Sequence, residues 1–227
     1  MARLPPLTIA AATVLVVLWF LRVRRGRQAL RDGVRTWAQA RGWAFAPNRP
    51  DLLARWAGYP FGFGGTREAT DLATGAFNGR AGMSFNYRYT SGAGRKQNIH
   101  VVALGLPLAT PGLRLTGHGL VWNMGEVFAG PDINIGDPMF DQAWKVVSPV
   151  PAFAHDVLAT PAVRSVLMRV DARGTNLALI GTDLVTWSPS DQTPEHFETR
   201  LRLLADLLAA VPDGVWQRCG APPVPTI

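Results

Sequence analysis

Residues 4–21, LPPLTIAAATVLVVLWFL, carry no charged side chain, and RVRRGRQALRDGVR follows at once. No other stretch restricts the chain as much. As a helix, the run would be roughly 27 Å long at about 1.5 Å per residue, close to the ~30 Å hydrocarbon core of a bilayer. Pro5 and Pro6 fall in its first turn, where a missing amide hydrogen costs nothing, and Trp19 falls at the opposite end, at headgroup depth. A cleaved signal peptide would end its apolar core in small residues of the A-x-A kind. Here the run ends in Trp19-Phe20-Leu21-Arg22, so an uncleaved transmembrane helix is expected.

Flanking charge sets the expected orientation. Only Arg3 precedes the run, whereas Arg22, Arg24, Arg25, Arg27, Arg31 and Arg35 follow it, against the single acid Asp32. Lys and Arg are retained on the cytoplasmic side, which predicts a single-pass protein of the cell membrane, amino terminus out and main domain cytoplasmic. Arg22, Arg24, Arg25 and Arg27 are the membrane-flanking basic residues of this reading. The single cysteine, Cys219, agrees with a reducing compartment.

The net charge of +7 invites a nucleic-acid reading until it is partitioned. Residues 1–41 hold eight arginines and one acid, which accounts for the whole excess; the remaining 15 basic and 15 acidic residues cancel. A neutral body has no surplus with which to neutralise phosphates, so no nucleic-acid partner is expected. A basic collar beside an apolar helix serves topology and attraction to anionic lipid instead. The expected partners are the bilayer, through the N-terminal helix, and a protein of unspecified kind.

The organisation predicted is an anchor with its basic flank (1–26), a juxtamembrane amphipathic helix (27–42), an α+β globular domain (43–216) and a disordered tail (217–227). In the second of these, Leu30, Val34, Trp37 and Ala38 share one stripe and Gly42 is a natural stop. That stripe suits either the membrane surface or the domain, and packing on the domain is favoured. From Thr66 the pattern turns to strands. Asn78-Gly79 is a strong hairpin signal between residues 66–77 and 80–90, and residues 98–104 add a third strand, giving an antiparallel meander. On the middle strand Met83, Phe85, Tyr87 and Tyr89 share one face and Ser84, Asn86, Arg88 and Thr90 the other. An aromatic row could stack a flat ligand, but at period two it reads as the core face of a sheet. Leu106-Pro107 and Pro111-Gly112 break the pattern. Residues 140–147 are expected as a strand, and 151–158 and 161–170 as helices. Residues 176–180 and 184–187, joined by Gly181-Thr182-Asp183, read as a hairpin. Thr193 and Pro194 then open a long C-terminal helix carrying Phe197, Leu201, Leu204 and Leu208. The fold class expected is therefore α+β: a transmembrane helix, then one domain of meander, hairpins and long C-terminal helix.

A search for chemistry yields little. His100, His118, His155 and His196 have no partner at metal-ligand spacing and HExxH is absent, so neither a metal nor another cofactor is expected. Gly82-Met83-Ser84-Phe85-Asn86 falls one residue short of a nucleophile elbow and lies inside a strand. His155-Asp156 are adjacent on a helix and point about 100° apart. Cys219 has no base nearby in sequence. Gly92-Ala93-Gly94-Arg95-Lys96 could touch phosphate but reads as a solvated hairpin tip. No catalytic, cofactor-binding or metal-binding residue is assigned. The function expected is a non-enzymatic binding or scaffold domain on a membrane anchor. The alternative is an enzyme of unrecognised type, gathering His155, Asp156, His118 or Arg88 from distant parts of the chain.

Several phrases occur together in order: RWAGYPF (55–61), NYRY (86–89), VVALGLP (101–107), FDQAWKV (140–146), FAHDVL (153–158), DLVTW (183–187) and VPDGVW (211–216). In this order and spacing the chain resembles an uncharacterised actinobacterial family of membrane-anchored proteins, each with an N-terminal membrane segment and one α+β domain. The resemblance spans about residues 43–216 and implies no assigned activity. It departs from the family pattern at Gln97, where relatives commonly carry His, and at Asn86, where they carry an acid. Both departures suit a structural role.

Overall fold

The computed structural model describes the backbone of residues 6–117 and 130–220, and the side chains of 15–117 and 130–219. The elements run α1 (Pro6–Ala40), β1 (Ala44–Asn48), a 3-10 turn (Pro50–Ala54), β2 (Gly65–Phe77), β3 (Arg80–Thr90), β4 (Lys96–Gly117), α2 (Pro138–Ala143), β5 (Trp144–Val147), α3 (Pro151–Leu158), α4 (Pro161–Leu167), β6 (Asn176–Ser188), α5 (Pro194–Ala210) and α6 (Asp213–Gly220). The chain is α+β, with one six-stranded antiparallel sheet and helices that cover mainly one of its faces.

The sheet is built around β4. Its first half pairs with β3 on one edge, from Lys96 opposite Thr90 to Leu104 opposite Gly82. Its second half pairs with β5 on that same edge, from Arg114 opposite Val147 to Gly117 opposite Trp144. β6 runs along the other edge for nearly the whole length, from His100 opposite Ser188 to Thr116 opposite Asn176. β1, β2 and β3 complete the meander.

Two sequence expectations fail here for one reason. Residues 176–187 are not a hairpin, and Pro107 and Pro111 do not end the strand before them. β4 and β6 stay paired through both places, with register shifts between Gly105 and Thr110 and between Thr110 and Leu113. Gly181, opposite Thr110, has φ of +59° and kinks β6 without reversing it. The parity of the buried residues changes across the irregularity. On the helix-covered face β4 offers Val102 and Leu104, then Leu113 and Leu115, and β6 offers Leu177 and Leu179, then Leu184. Matched bulges thus absorb both prolines, whose missing amide hydrogens fall where the ladder is already broken.

Other boundaries move. Residues 140–147 split into the end of α2 and the short β5. The tail expected from 217 begins no earlier than 221, because α6 continues to Gly220 and Cys219 packs, half-buried, against the core. Residues 221–227 lie outside those described, as does His118.

On the helix-covered face, α4, α5 and α6 bury Val163, Leu167, Leu201, Leu204, Val215 and Trp216 against β4 and β6. α1 joins this core with Val34, Trp37 and Ala38, so the amphipathic stripe packs on the domain. Trp37, Trp43 and Phe197 meet edge-on or tilted, with ring centroids 4.4–5.5 Å apart. The Trp43 ring lies flat on two cross-strand glycines: a Cβ at Gly75 would come within 2.4 Å of it and one at Gly82 within 2.7 Å. The opposite face is covered by the 3-10 turn and the loop after it. Trp56 and Phe61 pack on Phe85, Tyr87, Val101 and Trp187. That cover is tied down at two points. Arg55 makes a two-point contact with buried Asp183 at 3.0 Å while Trp56 Nε1 donates to the same carboxylate at 2.8 Å. Arg114 donates to the carbonyls of Tyr59 and Ala57.

α1 is continuous across Gly26, with no break between the expected anchor and the juxtamembrane segment. The first part of the run at 4–21 lies outside the described residues. In its second part Leu15, Val16, Val17, Leu18, Trp19, Phe20 and Leu21 are all exposed, Leu15 by 67% and Leu21 by 41%. Among the described residues no helix is long and apolar enough to cross a membrane.

Candidate functional site

The sheet face under α1 changes character along its length. At its inner end Ala73, Val102 and Leu104 belong to the apolar core. The polar positions of β3 follow in order: Ser84, Asn86, Arg88 and Thr90. Neighbouring strands extend each row, with His100 opposite Asn86, Glu68 and Asn98 flanking Arg88, and Gly65 and Lys96 flanking Thr90. Between this polar stripe and α1 lies an open cleft of about 380 Å³. Arg27, Leu30, Arg31 and Val34 form its helical wall, and Asp191 and Gln192 close one side.

Its inner end is a hydrogen-bond chain that climbs out of the core. Ser84 Oγ lies 2.8 Å from His100 Nε2, and Gln192 Nε2 donates to Ser84 Oγ at 2.9 Å. The hydroxyl accepts from Gln192, and the imidazole tautomer sets which of Ser84 Oγ and His100 Nε2 donates to the other. Asn86 Nδ2 donates to Gln192 Oε1 at 3.2 Å and to Asp71 Oδ2 at 3.4 Å. Arg31 Nε reaches Asp71 Oδ1 at 2.9 Å and ties the chain to α1. Asp71 stands at a bulge between Thr70 and Ala73 with φ of +59°, a backbone that re-aims its carboxylate. Burial pushes the His100 imidazole down to about 3, with the Arg200 and His196 charges acting in the same direction, so the ring is neutral. Asn86 Oδ1 is buried and has no protein partner; its amide orientation follows from the two acceptors its Nδ2 serves.

The Ser84–His100 contact has the separation of a nucleophile and its base, but neither side chain reaches solvent: Ser84 is 0% and His100 2% exposed. Gln192, not a carboxylate, completes the trio. The other sequence candidates do not converge. Arg88 lines the cleft, whereas Asp156 pairs with Arg218 of α6 at 3.0 Å, beyond the β5 end of the sheet. Asn98 beside Arg88 and Arg114 beside β5 are separated by about 50 Å measured along β4 at ~3.3 Å per residue. His196 is exposed at the start of α5, its backbone N–H donating to the Thr193 cap. Burial raises the Cys219 thiol, with Asp156 adding to the effect against Arg218, which disfavours the thiolate. Among the described residues no three His, Cys, Asp or Glu side chains gather as metal ligands. Of the four arginines expected to flank a membrane, Arg27 lines the cleft; Arg22, Arg24 and Arg25 do not.

The alternation on β3 already separates the aromatic row from the polar one. What it does not signal is the partner of the polar row: Arg31 and Gln192 arrive from 40 residues before Asp71 and 106 after Asn86. Gln97 and Asn86, where the chain departs from the pattern it resembles, both line the cleft.

No protein-family model and no curated protein matches the chain. Among solved structures it is similar to the crystal structure of the mycobacterial trehalose monomycolate transport factor A, TtfA, with a TM-score of 0.64 and 18% sequence identity, over 87% of this chain and 98% of that one. At that identity the likeness shows a shared fold.

Proposed function

We propose that the chain is a single-pass membrane protein whose cytoplasmic domain binds a partner and turns over no substrate, within an actinobacterial family of the kind its phrases resemble. One observation carries the reading. A single continuous helix has large apolar side chains exposed at residues 15–21 and core side chains buried at Val34, Trp37 and Ala38. Exposed apolar surface of that extent is rare on a soluble helix and is stable in lipid. Arginines at 22, 24, 25 and 27 suit the junction between the two environments. The fold shared with TtfA, a mycobacterial trehalose monomycolate transport factor, supports a non-enzymatic accessory role.

The second reading, a tethered enzyme, draws on the Ser84–His100 pair. It would require the sheet and α1 to part before any substrate reached the serine, since both groups are sealed from solvent.

Alkaline carbonate extraction and a topology reporter fused after Ile227 test the proposal. The full chain should stay in the membrane pellet, and the reporter should be active only in the cytoplasm. Release into the supernatant, or activity only outside, contradicts it.

A further inference from the structure

The cleft under α1 lies where a lipid headgroup would be if α1 crosses the bilayer, and its charge suits one kind of ligand. Leu21, the last residue of the apolar run, and Arg27, the first residue of the cleft wall, are separated by about 9 Å of helix. A headgroup layer is roughly 5–8 Å deep. The outer row of the cleft, Thr90 and Lys96, faces the same way: β2 runs alongside α1, so that Asp71 meets Arg31 while Gly75, further on, meets Trp43 just past the end of α1. The β3–β4 end of the sheet thus points along α1 towards its apolar half.

The cleft lining holds four cations and three carboxylates. Arg31 and Asp71 neutralise each other at 2.9 Å. Arg27, Arg88 and Lys96 remain against Glu68 and Asp191, a surplus of one positive charge. That surplus matches a phosphodiester, which carries one negative charge, and falls short of a polyphosphate or nucleic acid. Asn86 Oδ1, buried and without a protein partner, adds an acceptor for a ligand hydroxyl or ammonium. The geometry points to a binding site for a phosphodiester that also carries a hydrogen-bond donor, the chemistry of a glycerophospholipid headgroup. Arg88 and Lys96 make the charge-assisted contacts, Arg27 closes over the phosphate from α1, and Asn86 accepts from the headgroup's donor.

This inference rests on the anchored reading for the source of the ligand, and its test separates the two. The full-length chain, held in an uncharged detergent, is titrated calorimetrically with dihexanoyl phosphatidylglycerol, with glycerophosphoglycerol, and with dihexanoylglycerol, which lacks phosphate. Saturable one-to-one binding of a phosphodiester is expected. The pair Arg88→Gln with Lys96→Gln should weaken it at least tenfold, and Arg27→Gln, an exposed side chain of the helical wall that belongs to neither hydrophobic core, severalfold. Arg95→Gln, a charge of the same sign at the hairpin tip outside the cleft, should change it less than twofold. Lipid binding more than tenfold tighter than glycerophosphoglycerol assigns the site to a bilayer lipid; equal affinity assigns it to a soluble phosphodiester. Equal binding of dihexanoylglycerol, equal loss with Arg95→Gln, or no saturable binding overturns the inference, and any of these leaves the membrane-fractionation result untouched.

Discussion

The two faces of β3 differ by one residue of register and in almost everything else. Phe85, Tyr87 and Tyr89 point into a filled aromatic core beneath the cover formed by Trp56 and Phe61. Ser84, Asn86, Arg88 and Thr90 point the other way, into a stripe that begins as a sealed hydrogen-bond chain and ends as an open, charged cleft. The cover on the aromatic face is short and local, clamped by Asp183 and Arg114. The cover on the polar face is the same helix that leads to the apolar run. The aromatic face therefore supplies stability, whereas the polar face spends buried space on groups that must be satisfied one by one.

If that contrast holds, truncating the aromatic face should cost most. Phe85→Ala removes a fully buried ring and should destabilise the domain by about 4 kcal/mol in urea titrations. Asp183→Ala frees the cover of that face by leaving Arg55 and the Trp56 indole without their shared acceptor, for about 3 kcal/mol. Gly82→Ala presses a methyl into the Trp43 ring and should cost about 2 kcal/mol, a test of the seam where the α1 end meets the sheet. On the polar face, Arg31→Ala should cost about 1 kcal/mol or less, because its ion pair with Asp71 is 44% exposed on the arginine side.

The polar face should also be the acid-sensitive one. Folding holds His100 neutral, well below its ordinary value, while the unfolded chain protonates it near 6.5. The unfolded state thus binds the proton first as pH falls, and the stability His100 contributes is present above ~6.5 and lost towards about 3. Unfolding free energy should fall by about 1.4 kcal/mol per pH unit between roughly 6 and 4 from this group. His100→Gln should flatten that slope; an unchanged slope would mean the ring does not titrate as burial dictates.

The strands around the Asn78-Gly79 turn, the core face of β3 and the cap of α5 at Thr193 are all legible in the sequence, because each is set by neighbouring residues. In residues 176–188 the strands at 176–180 and 184–187 are legible, but their union into one strand is not. Gly181-Thr182-Asp183 carries turn chemistry, yet the 22-residue β4 beside it bulges in step and keeps the strand straight enough to pair. The site is half legible for the same reason. Period two selects Ser84, Asn86, Arg88 and Thr90, but Asp71 is aimed by a bulge, and Arg31 and Gln192 come from elements far away in the chain. His100, considered in sequence only as a metal ligand, turns out to be the buried end of this network.

The central claim is that one helix is both lipid anchor and wall of the cleft. Spin labels on the full chain in bilayers test it, placed singly by Leu18→Cys, Arg95→Cys and Asp156→Cys in a Cys219→Ser background, with depth read by power saturation. The account predicts Leu18 in the hydrocarbon, accessible to oxygen and shielded from an aqueous nickel reagent, with Arg95 at the headgroups and Asp156 in water. A Leu18 label as exposed to nickel as the Asp156 label would contradict it.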